Sequence, residues 1–256
     1  MTATLVFNIK TIPDTDGLRT LYDFPQNTPA EDIANIALHQ QRQQNGTEFL
    51  PLHLQRICTI SCALREGENF KVWSLGHASD SESTLSNAKP SEVNVIQDFF
   101  AVLKQYKPQV ITWSGNAFDL PVLNYRALIH GINTTDYSAL SVDHLDLTAN
   151  LSLFNHAGNV PLNDLAKLCG FPGKLGVTQI NTWNAYKTGD IATIRRDCEI
   201  DVANTYLLFL RFQLMRGQLS QNAFDVQLVM VRNTLVSYLQ EYPDLLHWQA
   251  FLAMWN

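Results

Sequence analysis

Asn8 and Lys10 stand two apart in the run Phe7-Asn8-Ile9-Lys10-Thr11-Ile12-Pro13-Asp14, so on a strand both side chains leave the same face. Two polar groups facing one way on a central strand need a partner, whereas an edge strand with a solvated face needs none. Asp119 follows Trp113-Ser114-Gly115-Asn116-Ala117-Phe118, a strand end, a glycine turn and a helix start. Its carboxylate can cap that helix, or project into a cleft at the carboxyl end of the sheet. Asp197 and Asp201, in Arg195-Arg196-Asp197-Cys198-Glu199-Ile200-Asp201-Val202, are four apart and stack on one helical face. Like charges at that spacing repel, so a stabilising arrangement requires a cation or a metal between them. A solvated acidic face is the simpler alternative, but Val202, Tyr206 and Leu207 suit a buried helix. His144 and Asp146 also lie close together, where a structural hydrogen bond is preferred over a metal pair.

The elements that must carry these residues follow from periodicity. Leu5 to Ile9 reads as a central strand closed by Pro13, Asp14 and Gly17. An insertion from about Thr15 to Leu50 carries a helix over Glu31 to Gln44. Gln55 to Leu64 and Lys71 to Leu75 form a hairpin around the charged turn Arg65 to Glu68, and Ser79 to Pro90 is a polar break. Ser91 and Glu92 open a helix with Val95, Phe99, Val102 and Leu103 at helical spacing, which Pro108 ends. A short strand, Val110 to Trp113, leads to a helix from Asp119 with Leu120, Leu123 and Leu128 among its apolar positions. After a looped stretch around Gly158, Leu162 to Cys169 forms a short helix, Phe171 to Val177 a glycine-containing loop, and Ile191 to about Leu214 a long helix. Gln221 to Trp255 adds one or two helices on the same core. This order specifies an α/β protein with a mixed sheet covered by helices.

Composition narrows the chemistry. The chain has 256 residues, 46% hydrophobic, with 18 Lys+Arg against 24 Asp+Glu and a formal net charge of -6. An acidic protein does not coat nucleic acid over its whole surface, so any nucleic-acid site must be a local cleft. No apolar run reaches membrane-helix length, and the start lacks a basic, apolar leader, so a cytoplasmic protein without membrane contact is expected. Cys58, Cys62, Cys169 and Cys198 include no C-x-x-C pair and read as buried thiols.

Several segments, taken in order, resemble the predicted PolB-like 3′-5′ exonucleases of the ribonuclease H-like DEDD superfamily. They are Phe7-x-Ile9-x-Thr11-Ile12-Pro13-Asp14, Trp113-x-Gly115-x-x-Phe118-Asp119-Leu120-Pro121, His144-x-Asp146-Leu147, Gly170-Phe171-Pro172-Gly173-Lys174 and Cys198-Glu199-x-Asp201-Val202-x-Asn204-Thr205-Tyr206. The resemblance covers roughly Leu5 to Ser220. It implies a ribonuclease H-like exonuclease domain over residues 1–220, with the insertion at about 15–50, and a C-terminal helical extension over 221–256 packed on the same domain. It further implies a central mixed β-sheet flanked by α-helices, two Mg²⁺ or Mn²⁺ ions held by four carboxylates, and a single-stranded DNA or other nucleic acid with a 3′ end as partner.

Carried over position by position, Asp119 and Asp201 match the last two of those carboxylates. Asn8 and Lys10 stand where an Asp and a Glu belong, Asp197 where a water-positioning Tyr belongs, and Ser114 where an Asn usually precedes the glycine. Asn8, Lys10, Asp119 and Asp201 then carry one positive against two negative charges, a poor cage for divalent ions. The first expectation is a pseudo-exonuclease whose Lys10 ammonium pairs with Asp119 and Asp201 and occupies a metal's place. The second is an active enzyme with a remodelled site, in which Asp197 acts as base with its pKa raised by Asp201. The third is a groove retained for binding a nucleic acid or a protein partner, with Lys174, Arg126, Lys187, Arg195 and Arg196 as phosphate contacts and Phe118, Trp113 or Trp183 stacking on bases. Core packing is the preferred role for Trp113 and Phe118.

Overall fold

The computed structural model describes residues 3–76, 87–134, 143–153, 160–175 and 181–255. Most of the polar break that begins at Ser79, the loop around Gly158 and the end of the glycine loop beyond 175 lie outside them. Strands β1 (Thr4–Pro13), β2 (Gln55–Glu66), β3 (Asn69–Ser74), β4 (Gln109–Thr112) and β5 (His144–Asp146) form one sheet in the order β3-β2-β1-β4-β5. β1 is central, antiparallel to β2 and parallel to β4, and β5 extends the parallel side. This mixed sheet flanked by helices is the ribonuclease H-like exonuclease fold anticipated from the sequence.

β1 runs through Pro13 instead of ending at Ile9. Proline is tolerated where pairing ends, and the ladder has already slipped: Lys10 faces Thr59 and Thr11 faces Ile57, which leaves Cys58 as the extra residue of a bulge. The Cys58 thiol donates to the Lys10 carbonyl at 3.2 Å.

The helices are α1 (Thr15–Leu21), α2 (Ala30–Asn45), α3 (Glu92–Tyr106), α4 (Asp119–Ile129), α5 (Leu147–Leu151), α6 (Leu162–Leu168), α7 (Thr182–Thr188), α8 (Ile191–Met215), α9 (Gln221–Glu241) and α10 (Leu246–Ala253). Alternation along β1 sorts them into layers. Leu5, Phe7 and Ile9 point into a core with Val95, Ile96, Phe99 and Leu103 of α3 and Val122, Leu123 and Ala127 of α4. Val6 points the other way, into a core with Val202, Ala203, Tyr206 and Leu207 of α8 and with residues of α9 and α10. Asn8 and Lys10 share the face of Val6, so the alternation delivers both to α8. α1 and α2 cover a small separate cluster built on Leu18, Ile33 and Leu54.

Two details depart from the sequence reading. β5 spans only His144 to Asp146 and has no apolar run to announce it. Leu128, one of the apolar positions named for α4, is 79% exposed. Cys58, Cys62 and Cys198 are buried and Cys169 is partly exposed, all as free thiols. No helix among the described residues is long and apolar enough to cross a membrane.

Candidate functional site

Lys10 reaches from the centre of the sheet to α8. Its Nζ lies 2.5 Å from Asp197 Oδ2 and 2.6 Å from Asp201 Oδ2. The cation required between two aspartates one helical turn apart is therefore supplied by the chain itself. Lys174 approaches the same pair from the glycine loop, 3.4 Å from Asp197 Oδ2 and 3.3 Å from Asp201 Oδ2. Two ammoniums against two carboxylates leave this ring without net charge.

The loop that carries Lys174 is held by asparagines. Asn204 of α8 accepts from the Gly173 N–H and donates to the Gly173 carbonyl, both at 2.9 Å. Asn163 accepts from the Lys174 N–H at 2.9 Å. Gly173 has φ +68°, and a Cβ there would lie 2.8 Å from Asn163 Oδ1, so only glycine fits this turn. Asn163 and Asn204 are positioning residues: the sequence reading does not single out Asn163, and it names Asn204 only within its motif and without a role, although a buried asparagine at 1% exposure is a signal for a specific partner.

Asn8 and Asp119 form the other half. Asp119 is the first residue of α4 but does not cap it: its Oδ1 accepts from the Ile9 N–H at 3.0 Å and from Asn8 Nδ2 at 3.4 Å. Gly115 permits this approach, because a Cβ there would sit 2.4 Å from Thr112. The Cys198 thiol donates to the Asn8 carbonyl at 3.3 Å and ties this half to α8.

The charges respond to these surroundings. Burial pushes the Asp119 carboxyl up to about 7, against the lowering effect of the Ile9 N–H and Lys10. Burial works against the charged form of Lys10, but Asp201 and Asp197 outweigh it and raise the pKa above the usual lysine value. Burial would raise Asp197, yet Lys10 and Lys174 outweigh it and hold the carboxyl below its ordinary value. The expectation that Asp201 raises the pKa of Asp197 is thus corrected: two ammoniums in contact dominate one neighbouring carboxylate, and Asp197 is a poor base.

The other anticipated contacts divide. Ser114, at φ 59°, donates to Thr148 Oγ1 at 3.1 Å and supports the turn before Asp119. The Phe118 ring packs partly on the β1–α3–α4 core and lies 5.4 Å from the ring of Phe49. His144 bonds Thr112, and Asp146 caps α5 while accepting from the Asn116 N–H, a structural arrangement. Lys187 pairs with Glu31 at the surface. Arg126 is not a phosphate contact. It is 2% exposed, with Nε 2.8 Å from Glu92 Oε1, Nη2 2.6 Å from Glu92 Oε2, and Nη1 paired with Asp14. Arg195 is likewise buried.

Whether divalent metals fit is a question of donors. Lys10 pairs with Asp201, one of the two matched carboxylates, and with Asp197 at the Tyr position instead of with Asp119, whose oxygen facing β1 accepts from a backbone N–H. Among the described residues no group of three or more His, Cys, Asp or Glu side chains is arranged to hold a metal ion. The residues present do not fit a two-ion cage. At this site Asp201 Oδ1 is buried and has no hydrogen-bond partner among the described residues.

Residues 47–255 match the family described as predicted 3′-5′ exonucleases related to the exonuclease domain of PolB. The match includes Asp119, Lys174, Asp197, Asp201 and the C-terminal helices, and leaves β1 outside it. A stretch of 59 residues, 23% of the chain, is 37% identical to the catalytic subunit of DNA polymerase epsilon from Schizosaccharomyces pombe, of which it covers 3%. Among solved structures, an apo exonuclease I aligns with 88% of the chain at 11% identity and a TM-score of 0.38. Exonuclease I of E. coli in complex with a 5cy-dA13 oligonucleotide aligns with 93% at 11% identity and a TM-score of 0.36. The chain spans less than half the length of these exonucleases. By the match that covers most of its length, the chain belongs to the family of predicted 3′-5′ exonucleases related to the exonuclease domain of PolB.

Proposed function

We propose that the protein is a pseudo-exonuclease of nucleic-acid metabolism. In this reading it retains the groove of a 3′-5′ exonuclease for single-stranded DNA or another nucleic acid with a 3′ end, and a built-in lysine stands where metal-binding carboxylate would be needed. The observation that carries this reading is Lys10, whose ammonium lies 2.5 and 2.6 Å from the two aspartates of α8. An ammonium in contact with both carboxylates repels a divalent ion from the same space, and displacing it would leave a buried charge uncompensated. Lys174, 28% exposed at its side chain, is the group best placed to meet a phosphate from the cleft side. Ser114 and Phe118 border the turn before Asp119. A cytoplasmic setting belongs to the proposal and rests on the sequence reading alone.

A second reading, an active exonuclease with a remodelled site, is favoured by the partnerless Asp201 Oδ1. The two readings separate on degradation of a 5′-labelled single-stranded DNA in Mg²⁺ and in Mn²⁺. The pseudo-exonuclease leaves the strand intact in both metals, yet binds it in a salt-sensitive manner that Lys174→Ala weakens. Degradation abolished by Asp201→Ala would overturn the proposal in favour of the active site. Binding indifferent to salt would instead point to a protein partner.

A further inference from the structure

A second cavity lies away from the Lys10 ring, against the C-terminal half of α4. It is a cleft of about 850 Å³ and shares no residue with the ring or with Asn8 and Asp119. That volume falls within the usual range of small-molecule sites. Its floor is the buried network of Arg126, Glu92 and Asp14, completed by His130, whose Nε2 lies 2.7 Å from Glu92 Oε2. Its rim is apolar: Leu21, Tyr125, Leu128 and Ile129 are 56, 46, 79 and 54% exposed.

The charge of the lining decides what fits. Three carboxylates, of Asp14, Asp16 and Glu92, face two guanidiniums, of Arg56 and Arg126. Arg56 and Asp16 offset one another at the mouth, 3.8 Å apart. On the floor, Arg126 commits four of its five N–H donors to Glu92, Asp14 and the His53 carbonyl, and the remaining one lies against His130 Nε2 at 3.5 Å, so little of the guanidinium is left to meet an anion. The floor thus sets two buried carboxylates against one guanidinium, with the Ile57 and Gly17 N–H groups as their further donors. An excess of carboxylate in a partly closed cleft favours a cation over an anion. The wall adds Tyr125, whose ring meets His53 edge to face at 6.3 Å, and the face of a tyrosine ring favours a cation.

We propose that this cleft binds a small organic cation: an apolar or aromatic body lodged between α1 and α4, with one ammonium directed at the Glu92–Asp14 floor and the Tyr125 ring. This site is independent of the exonuclease reading, because it uses none of that site's residues.

The test is calorimetric titration of the intact protein with three probes of one shape, tryptamine, neutral tryptophol and anionic indole-3-propionate. Tryptamine is expected to saturate and to bind at least about tenfold more tightly than tryptophol, with the propionate weakest. Tyr125→Ala and Leu128→Gln, at exposed positions that leave the fold intact, are each expected to weaken tryptamine several-fold, while Lys174→Ala leaves it unchanged. Equal binding of tryptamine and tryptophol, no saturable binding, or tryptamine affinity that survives both rim variants would each overturn the proposal.

Discussion

Two charged clusters brace the central strand from opposite sides, and their difference is that between a guanidinium fixed by its partners and an ammonium shared between two. At the end of β1, Arg126 grips Glu92 through two parallel bonds and Asp14 through a third, with side chains 3 to 8% exposed. In the middle of β1, Lys10 offers one ammonium to two aspartates, and Lys174 stands off at 3.3 to 3.5 Å. A planar guanidinium fits a carboxylate in one geometry, whereas an ammonium is a point charge that can be shared. The first cluster is closed at its arginine. The second keeps a carboxylate oxygen with no hydrogen-bond partner among the described residues and a partly exposed lysine.

The comparison breaks most visibly at Arg126. Arg126→Met strands two buried carboxylates, and a loss of about 5 kcal/mol is expected in denaturant unfolding. Arg126→Lys should recover only part of it, because one ammonium cannot reproduce the two-bond grip on Glu92. Lys10→Met should cost about 3 kcal/mol, less than Arg126→Met because Lys174 still faces both aspartates. Equal losses at the two positions would erase the distinction between the fixed guanidinium and the shared ammonium.

A third prediction uses Asp119. Its folded pKa of about 7 lies above the ordinary 3.8, so between these values the folded state holds a proton that the unfolded chain has lost. Its contribution is full below about pH 4 and declines as pH rises through about 7, with a slope of at most about 1.4 kcal/mol per pH unit. Asp119→Asn should flatten that part of the stability profile, as measured by denaturant midpoints across pH; an unchanged slope would mean that the carboxyl ionises freely. The smallest effect belongs to Lys174→Ala, about 0.5 kcal/mol in stability for a partly exposed pair. In DNA binding the same change should lower the salt slope by about one.

Legibility in the sequence followed the range of the interaction. Period-two alternation placed Asn8 and Lys10 on one face, and helical spacing stacked Asp197 on Asp201, so the need for a cation between them was readable before the structure supplied Lys10. Asp119 at a strand–glycine–helix junction was readable in the same way, although its acceptance from the Ile9 N–H was not. Arg126 was misread because its partners, Asp14 and Glu92, lie 112 and 34 residues away. No local pattern distinguishes an arginine locked in the interior from one that awaits a phosphate. β5 was missed because three residues cannot show a period, and its place at the sheet edge comes from pairing with β4. The exposure of Leu128 belongs with the cleft beneath it, which arises where α1 and α4 converge and has no signature in either helix alone.

The central claim is that Lys10 takes the place of a metal at the aspartates of α8. Its most direct measurement is Mn²⁺ binding, by calorimetry or paramagnetic resonance, to the wild-type protein and to the double variant Asn8→Asp with Lys10→Glu. The account predicts no saturable Mn²⁺ binding by the wild-type protein and clear binding by the double variant. Tight Mn²⁺ binding by the wild-type protein that is lost on Asp119→Ala would contradict it.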